Sequence, residues 1–344
     1  MPEESIDHID FEELNKKAIS PPIITHLYIA DPSAHVFNNK IYIYPSHDID
    51  AGDAFDDLGS HFAMEDYHVF SMDDVNADVK DHGMALHVND VKWAERQMWA
   101  PDANEKNGQY FLFFPAKDYN GIFRIGVAIS DSPQGPFTAR DNPIKNSFSI
   151  DPAVFKDDDG SYYMYFGGIW GGQLQRWRNG VFNGDHPESP TAFLPKDHEP
   201  ALLPYVAKMR DDLFEFEEDP KEVKILDKKG DLLLSGDNDR RFFEAAWLHK
   251  YKGKYYFSYS TGDTHFICYA IGDNPYGPFT YMGKILNPVV GWTSHHSICE
   301  FKGKWYLFYH DSCLSEGVTH LRSVKIAEIK YNADGTIQTL NPYN

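Results

Sequence analysis

Five times along the chain, a polar turn is followed by five or six residues dense in Tyr, Phe and Ile. The stretches are "NNKIYIYPSHD", "NGQYFLFFPAKD", "DGSYYMYFGG", "KGKYYFSYSTGD" and "KGKWYLFYHDS", with turn positions at Asn39, Gly108, Gly160, Gly253 and Gly303. Polar pairs of this kind suit tight hairpins, and runs so aromatic predict buried strands. Ahead of each turn lies another apolar segment, so each unit begins with a hairpin whose first strand precedes the turn.

A second repeat follows two of these hairpins. "VAISDSPQGPFT" (127–138) and "YAIGDNPYGPFT" (269–280) are near copies, each a strand ending at a Pro/Gly-rich corner. A unit therefore holds an inner strand, a hairpin partner, a third strand and at least one more. Five such units predict an all-β chain folded as a five-bladed β-propeller, one domain over 1–344. The spacing widens between the third and fourth turns. There, 193–223 is Pro-rich and then charged, and is expected to be a partly helical surface insertion that could roof a pocket.

Counting back eight or nine residues from each turn reaches Asp31, Ala100 (beside Trp99), Asp151, Glu244 and His295. Pro32, Pro101 and Pro152 follow three of these positions, and a residue before Pro is held extended, as a strand start requires. In a propeller the inner strands run the same way around one axis, so their first residues ring one face. A single Asp-Pro is an ordinary turn signal. Three carboxylates and a His at equivalent places in repeated units point to the floor of a pocket.

Carboxylates crowded into a partly dry pocket cannot all ionise, so one keeps its proton while another is charged. That division supplies a general acid and a general base, the pair glycoside hydrolysis needs, and a third carboxylate can tune the acid. Trp99 and Trp170 offer flat faces for a sugar ring. Trp247, inside the fourth inner strand, reads as core.

Charge narrows the partners. The 344 residues carry 32 Lys+Arg against 52 Asp+Glu, a formal net charge of −20 at pH 7. Such a surface repels nucleic acid, anionic membranes and sugar acids and leaves neutral oligosaccharides open. No apolar run approaches the length of a membrane span. The opening "MPEESIDHIDFEELNKKAIS" lacks the apolar stretch of a signal peptide. Cys268, Cys299 and Cys313 lack CxxC spacing and read as free thiols, so a cytoplasmic protein is expected.

Taken together, "IADPSAHVF", "WAPDAN", "SIDPAVFKDDDGSYYMYFGG", "FFEAAWLHKYKGKYYFSYSTG" and "HHSICEFKGKWYLFYHD" resemble glycoside hydrolase family 43, from about Ile24 to Ile329. The resemblance implies a five-bladed propeller and an inverting mechanism, with Asp31 the general base, Glu244 the general acid and Asp151 the residue that raises and orients the acid. An inverting pair stands about 6.5–9.5 Å apart. Arg322 in "HLRSVKI" matches a substrate-contacting Arg of xylosidase members. His295, or its neighbour His296, matches a His that helps hold a divalent cation, often calcium. His47, His265 and His310 read as structural. One departure is Glu244-Ala245-Ala246, where many members have Pro third. The C-terminal β-sandwich of larger xylosidases is not expected in this chain.

These readings converge on an exo-acting glycosidase that releases β-D-xylose, α-L-arabinofuranose or both from hemicellulose oligosaccharides. The rivals are an endo-arabinanase with an open cleft and a noncatalytic propeller that binds glycans or proteins. Oligomeric state is not legible in the sequence.

Overall fold

The computed structural model describes residues 9–344. Five sheets, antiparallel except for one added strand, follow one another along the chain. Blade one is Tyr28–Phe37, Lys40–Asp48, Asp66–Met72 and Lys80–His87. Blade two begins at Asp102–Lys106 and runs through Gln109–Asp118, Phe123–Ser130 and Thr138–Ala139, with Ala94–Arg96 also paired to its second strand. Blade three is Ala153–Lys156, Tyr162–Phe166, Tyr205–Lys208 and Lys221–Glu222. Blade four is Glu244–Tyr251, Lys254–Ser260, Ile267–Gly272 and Phe279–Leu286, and Ile225–Leu226 adds parallel to its last strand. Blade five is His296–Phe301, Lys304–Asp311 and Ser323–Ile329. The ring closes where Ile23 and Ile29 donate backbone N–H groups to Val324 and Arg322 carbonyls, both at 2.9 Å. The result is a five-bladed β-propeller.

The repeated turn chemistry does the predicted work. At Asn38-Asn39, Asn107-Gly108, Lys252-Gly253 and Lys302-Gly303 both residues take positive φ, from 47° to 81°. That is the geometry whose twist matches two paired strands. The Pro/Gly-rich repeat has a second use between blades. The Tyr44 hydroxyl of blade one donates to the Pro133 carbonyl of blade two at 2.6 Å. Tyr165 of blade three donates to Pro275 of blade four at the same distance. Each aromatic strand thus buries its ring and satisfies its hydroxyl on the next blade's corner.

The segment 193–223 departs from expectation: it holds no helix. It supplies Tyr205–Lys208 and Lys221–Glu222, the outer strands of blade three. Pro195, Pro200, Pro204 and Pro220 remove donors that a helix would need, while "YVAK" pairs with the aromatic strand Tyr162–Phe166. Among the described residues the one α-helix is Phe11–Lys17, capped by Asp10. Among the described residues no helix is long and apolar enough to cross a membrane. Cys268, Cys299 and Cys313 are free, and Cys299 is only partly buried.

Candidate active site

The heads of the inner strands meet at one cavity of ≈ 390 Å³. Asp31 comes from blade one, Trp99 and Ala100 from blade two, Asp151 from blade three, Glu244 from blade four and His295 from blade five, and Trp170 and Arg322 join the lining. Every sequence-predicted site residue is therefore present around the same space. None of 193–223 lines it. The walls come instead from loops at 55–64, 169–172, 291–293 and 317–319, so the expected roof over the pocket is corrected to a different set of loops.

Local backbone explains the aim of the carboxylates. Asp31 and Asp151 take φ values of 49° and 57°, and Ala245, next to Glu244, takes 63°. Left-handed backbone is costly outside glycine and clusters at functional sites. The strand pairing breaks at Ala30/Ser33 and again at Glu244/Trp247. The first break takes Asp31 out of the ladder, and the second follows directly on Glu244, which stays paired with Ser260 at the strand head. Ala245 also donates its N–H to Asp151 Oδ2 at 2.8 Å, which ties blade three to blade four at the acids. The missing Pro at 246 leaves this contact intact.

Arg322 organises the charges. Its Nη1 reaches Asp31 Oδ1 at 2.8 Å, and its Nε and Nη2 hold Asp48 at 2.8 and 2.7 Å. The Asp48 carboxylate also accepts the Arg322 backbone N–H at 2.9 Å. Asp48 was missed in the sequence, although it ends the flagged stretch "IYIYPSHD". Ser46 Oγ donates to Asp31 Oδ2 at 2.6 Å, and the Asp31 N–H donates to His310 Nδ1 at 3.0 Å. His310 is structural, as expected, but what it supports is the Asp31 backbone.

These contacts push the three acids apart. Burial alone would raise Asp31, but Arg322, His310 and His295 outweigh it and lower its pKa to about 2. Glu244 moves the other way: burial, then Asp151 and Asp31, hold it well above the usual carboxylate range. Its carboxyl faces the cavity and is only half-buried, yet the surrounding protein still strips its water. Asp151 is also raised, by burial and by Asp31, against the opposing pull of the Ala245 N–H. That N–H favours charge on Asp151, whereas among the described residues no donor bonds to Glu244. The surroundings therefore favour charge on Asp31 and retention of the proton on Glu244 within one cavity.

Aromatic side chains form the walls. Trp170 packs against Trp292 and Phe243, each with ring centroids 5.5 Å away. Trp99 is fixed by its Nε1–H on the Phe62 carbonyl at 2.8 Å. Trp292, Phe243, Phe62 and His61 went unflagged because they lie in loops without a repeat. Trp247 is core, its indole N–H on the Ile298 carbonyl at 3.1 Å. Gly262, at φ +68°, leaves no room beside Phe243: an added Cβ would stand 2.1 Å from the ring. Gly262→Ala should shift Phe243 beside Glu244, lower stability by about 1–3 kcal/mol and raise KM, read by urea unfolding and steady-state kinetics.

A sequence model described as glycosyl hydrolases family 43 matches residues 19–183 and 196–337. The chain belongs to glycosyl hydrolases family 43. It is a glycoside hydrolase. A relative named xylosidase/arabinosidase, from Bacteroides ovatus, is 60% identical over 314 residues, covering 91% of this chain and 95% of its own. Xylosidase/arabinosidase 43A of Humicola insolens is 58% identical over 328 residues, covering 93% and 99%. Among solved family 43 structures, a β-xylosidase/α-arabinofuranosidase from a compost microbial metagenome is 64% identical with a TM-score of 0.92, covering 94% of this chain and 98% of that one. That structure is a complex with xylotriose in a calcium-free form. A Xanthomonas citri family 43 enzyme complexed with xylotriose is 55% identical, TM-score 0.91, covering 97% and 96%.

The calcium expectation can be tested on His295. Its Nε2 is buried without a hydrogen-bond partner and lies 3.8 Å from Asp151 Oδ2. An orphaned ring nitrogen at the cavity, beside carboxylates, fits one ligand of a divalent cation. Ligation through Nε2 needs the ring proton on Nδ1, so the ring has to change tautomer and release the His296 N–H that Nδ1 accepts at 2.8 Å. His296 does not line the cavity, and its Nε2 pairs with Ser258 Oγ at 2.6 Å. His295 is thus the better placed of the two.

Proposed function

We propose that this chain is an inverting exo-glycosidase that releases β-D-xylose, α-L-arabinofuranose or both from neutral hemicellulose oligosaccharides. The observation that carries this reading is the opposite protonation bias of Asp31 and Glu244 in one aromatic-walled cavity. Asp31 acts as general base: it takes a proton from water as the water oxygen bonds to the anomeric carbon. Glu244 acts as general acid and delivers its proton to the departing glycosidic oxygen. Asp151 keeps the Glu244 proton in place by its charge, and holds the acid's backbone through Ala245. Arg322 lines the cavity, but its donors go first to Asp31, Asp48 and Thr293, so its main task is to keep the base ionised and fixed. Trp99 and Trp170 offer their faces to the sugar.

A pocket walled by loops from several blades holds a chain end better than a polymer's middle, which supports exo action. Relatives named for xylose and arabinose release, and family structures holding xylotriose, support the sugar class. His295 would hold the divalent cation, which when bound supplies positive charge beside the acids. Stripping with a chelator should lower kcat, and calcium should restore it.

Aryl glycosides of several sugars, with NMR of the first anomer released, test the reading. α-Xylose should appear first from a β-xyloside, because a single displacement inverts the centre. β-Xylose first would overturn inversion, and shortened polymers without monosaccharide would favour an endo-arabinanase. Asp31→Asn should abolish turnover on every substrate; unchanged turnover would remove Asp31 as base.

A further inference from the structure

Outside the catalytic cavity, blade one gathers a second group of side chains with metal-ligand chemistry. His47 lies next to the end of the strand Lys40–Asp48, and Asp66 and His68 lie at the start of the strand Asp66–Met72. The two strands pair antiparallel. Continued past Pro45, the register sets His47 opposite Asp66, and His68 follows two residues on along the same face. One donor atom from each of the three lies within 4.8 Å of the others. None of the three lines the cavity.

We propose that His47, Asp66 and His68 bind a divalent transition cation of the zinc class. Two imidazoles and one carboxylate suit such ions, whereas calcium prefers oxygen donors. His47 Nδ1 stands 2.6 Å from Asp66 Oδ1, and His68 Nε2 faces Asp66 Oδ2 at 3.9 Å. Donors on one zinc, each about 2.0–2.2 Å from the ion, stand roughly 3–3.5 Å apart. A small inward turn of His68 closes that gap, and the ion replaces the proton now shared by His47 and Asp66.

The surroundings are those of a supported site. The far nitrogen of His68, Nδ1, faces Asp81 Oδ1 at 3.4 Å. Asp81 is itself held by the Gly83 N–H at 2.7 Å and stands 2.9 Å from His26 Nε2. Metal-binding His residues commonly give their other N–H to a carboxylate, which sets the tautomer and the ring orientation. The side chains of His47, Asp66 and His68 keep 15–16% of their surface exposed, so water can fill the remaining coordination positions.

The place of the cluster suggests its use. His47 and Asp66 flank the loop 49–65, which supplies Phe55, His61 and Phe62 to the cavity wall. His47 also precedes Asp48, the anchor of Arg322. An ion here staples the root of that loop.

The test uses the full chain, stripped with a chelator and dialysed. Zinc is followed by calorimetry, cobalt by its visible absorption, and the loop by hydrogen–deuterium exchange. The wild type and His295→Ala should each bind one equivalent at this site, and zinc should slow exchange across 49–65. His47→Ala/His68→Ala should lose that equivalent, and Asp81→Asn should weaken it about 10–100-fold, with circular dichroism confirming that both fold. No zinc or cobalt bound by the wild type, binding unchanged in the double variant, or binding lost only in His295→Ala would each overturn the proposal. Because binding and exchange are read without turnover, failure here is distinguishable from failure of the catalytic assignment.

Discussion

Glu244→Gln should lower kcat on xylobiose by about 10²–10⁴-fold, the usual worth of a general acid, and spare an aryl xyloside with a good leaving group. The second substrate expels its leaving group without a proton, so loss on both alike would remove Glu244 from the role. The pH profile gives an independent check. Glu244 is raised by burial and by Asp151 and Asp31, so it keeps its proton to higher pH than an ordinary carboxyl group. As the pH rises through that raised value the proton leaves, and activity falls on the alkaline side. Glu244→Gln should lack this limb. Asp151→Asn should move the limb to lower pH, because it removes a negative neighbour that holds the proton on. Asp31, lowered to about 2, keeps the base ionised across the working range.

Arg322→Met should be the most destabilising single change at the site, by about 3–5 kcal/mol at neutral pH. It leaves Asp31 and Asp48 buried without the guanidinium both share. Turnover should fall with it, because an unpaired Asp31 takes up a proton and stops acting as base. The pH dependence of the wild type has a definite sign. Asp31 is depressed from 3.8 to about 2 in the folded protein. Its stabilising contribution is full above 3.8 and is lost as the pH falls through about 2. The gap between wild type and Arg322→Met, read by urea unfolding, should therefore narrow on acidification. Arg322→Lys should recover only part of it, since an ammonium cannot span two carboxylates as the planar fork does. A variant as stable as wild type at pH 7 would show that Asp48 and Asp31 do not need this partner.

The propeller was legible because its signals are local and repeated. Asn39, Gly108, Gly253 and Gly303 mark turns whose positive φ follows from residue type. The acids were legible for the same reason: Asp31, Asp151 and Glu244 hold equivalent places in repeated units. The outer strands of blade three were not, since "YVAK" at 205–208 is too short and too separate from its partner strand to announce itself. Asp48, Trp292 and Phe243 escaped because each gains its meaning from contacts across the ring rather than from neighbours in the chain.

By itself, then, the order of residues determined five hairpins, their aromatic cores and three acids at the strand starts, since short-range sterics and hydrophobic burial act along a few residues at a time. Tertiary structure alone decided which acid is biased toward charge and which toward its proton. Arg322 lies 291 positions from Asp31, and only closure of the ring brings a guanidinium to one carboxylate while leaving another, Glu244, among negative neighbours in a dry pocket.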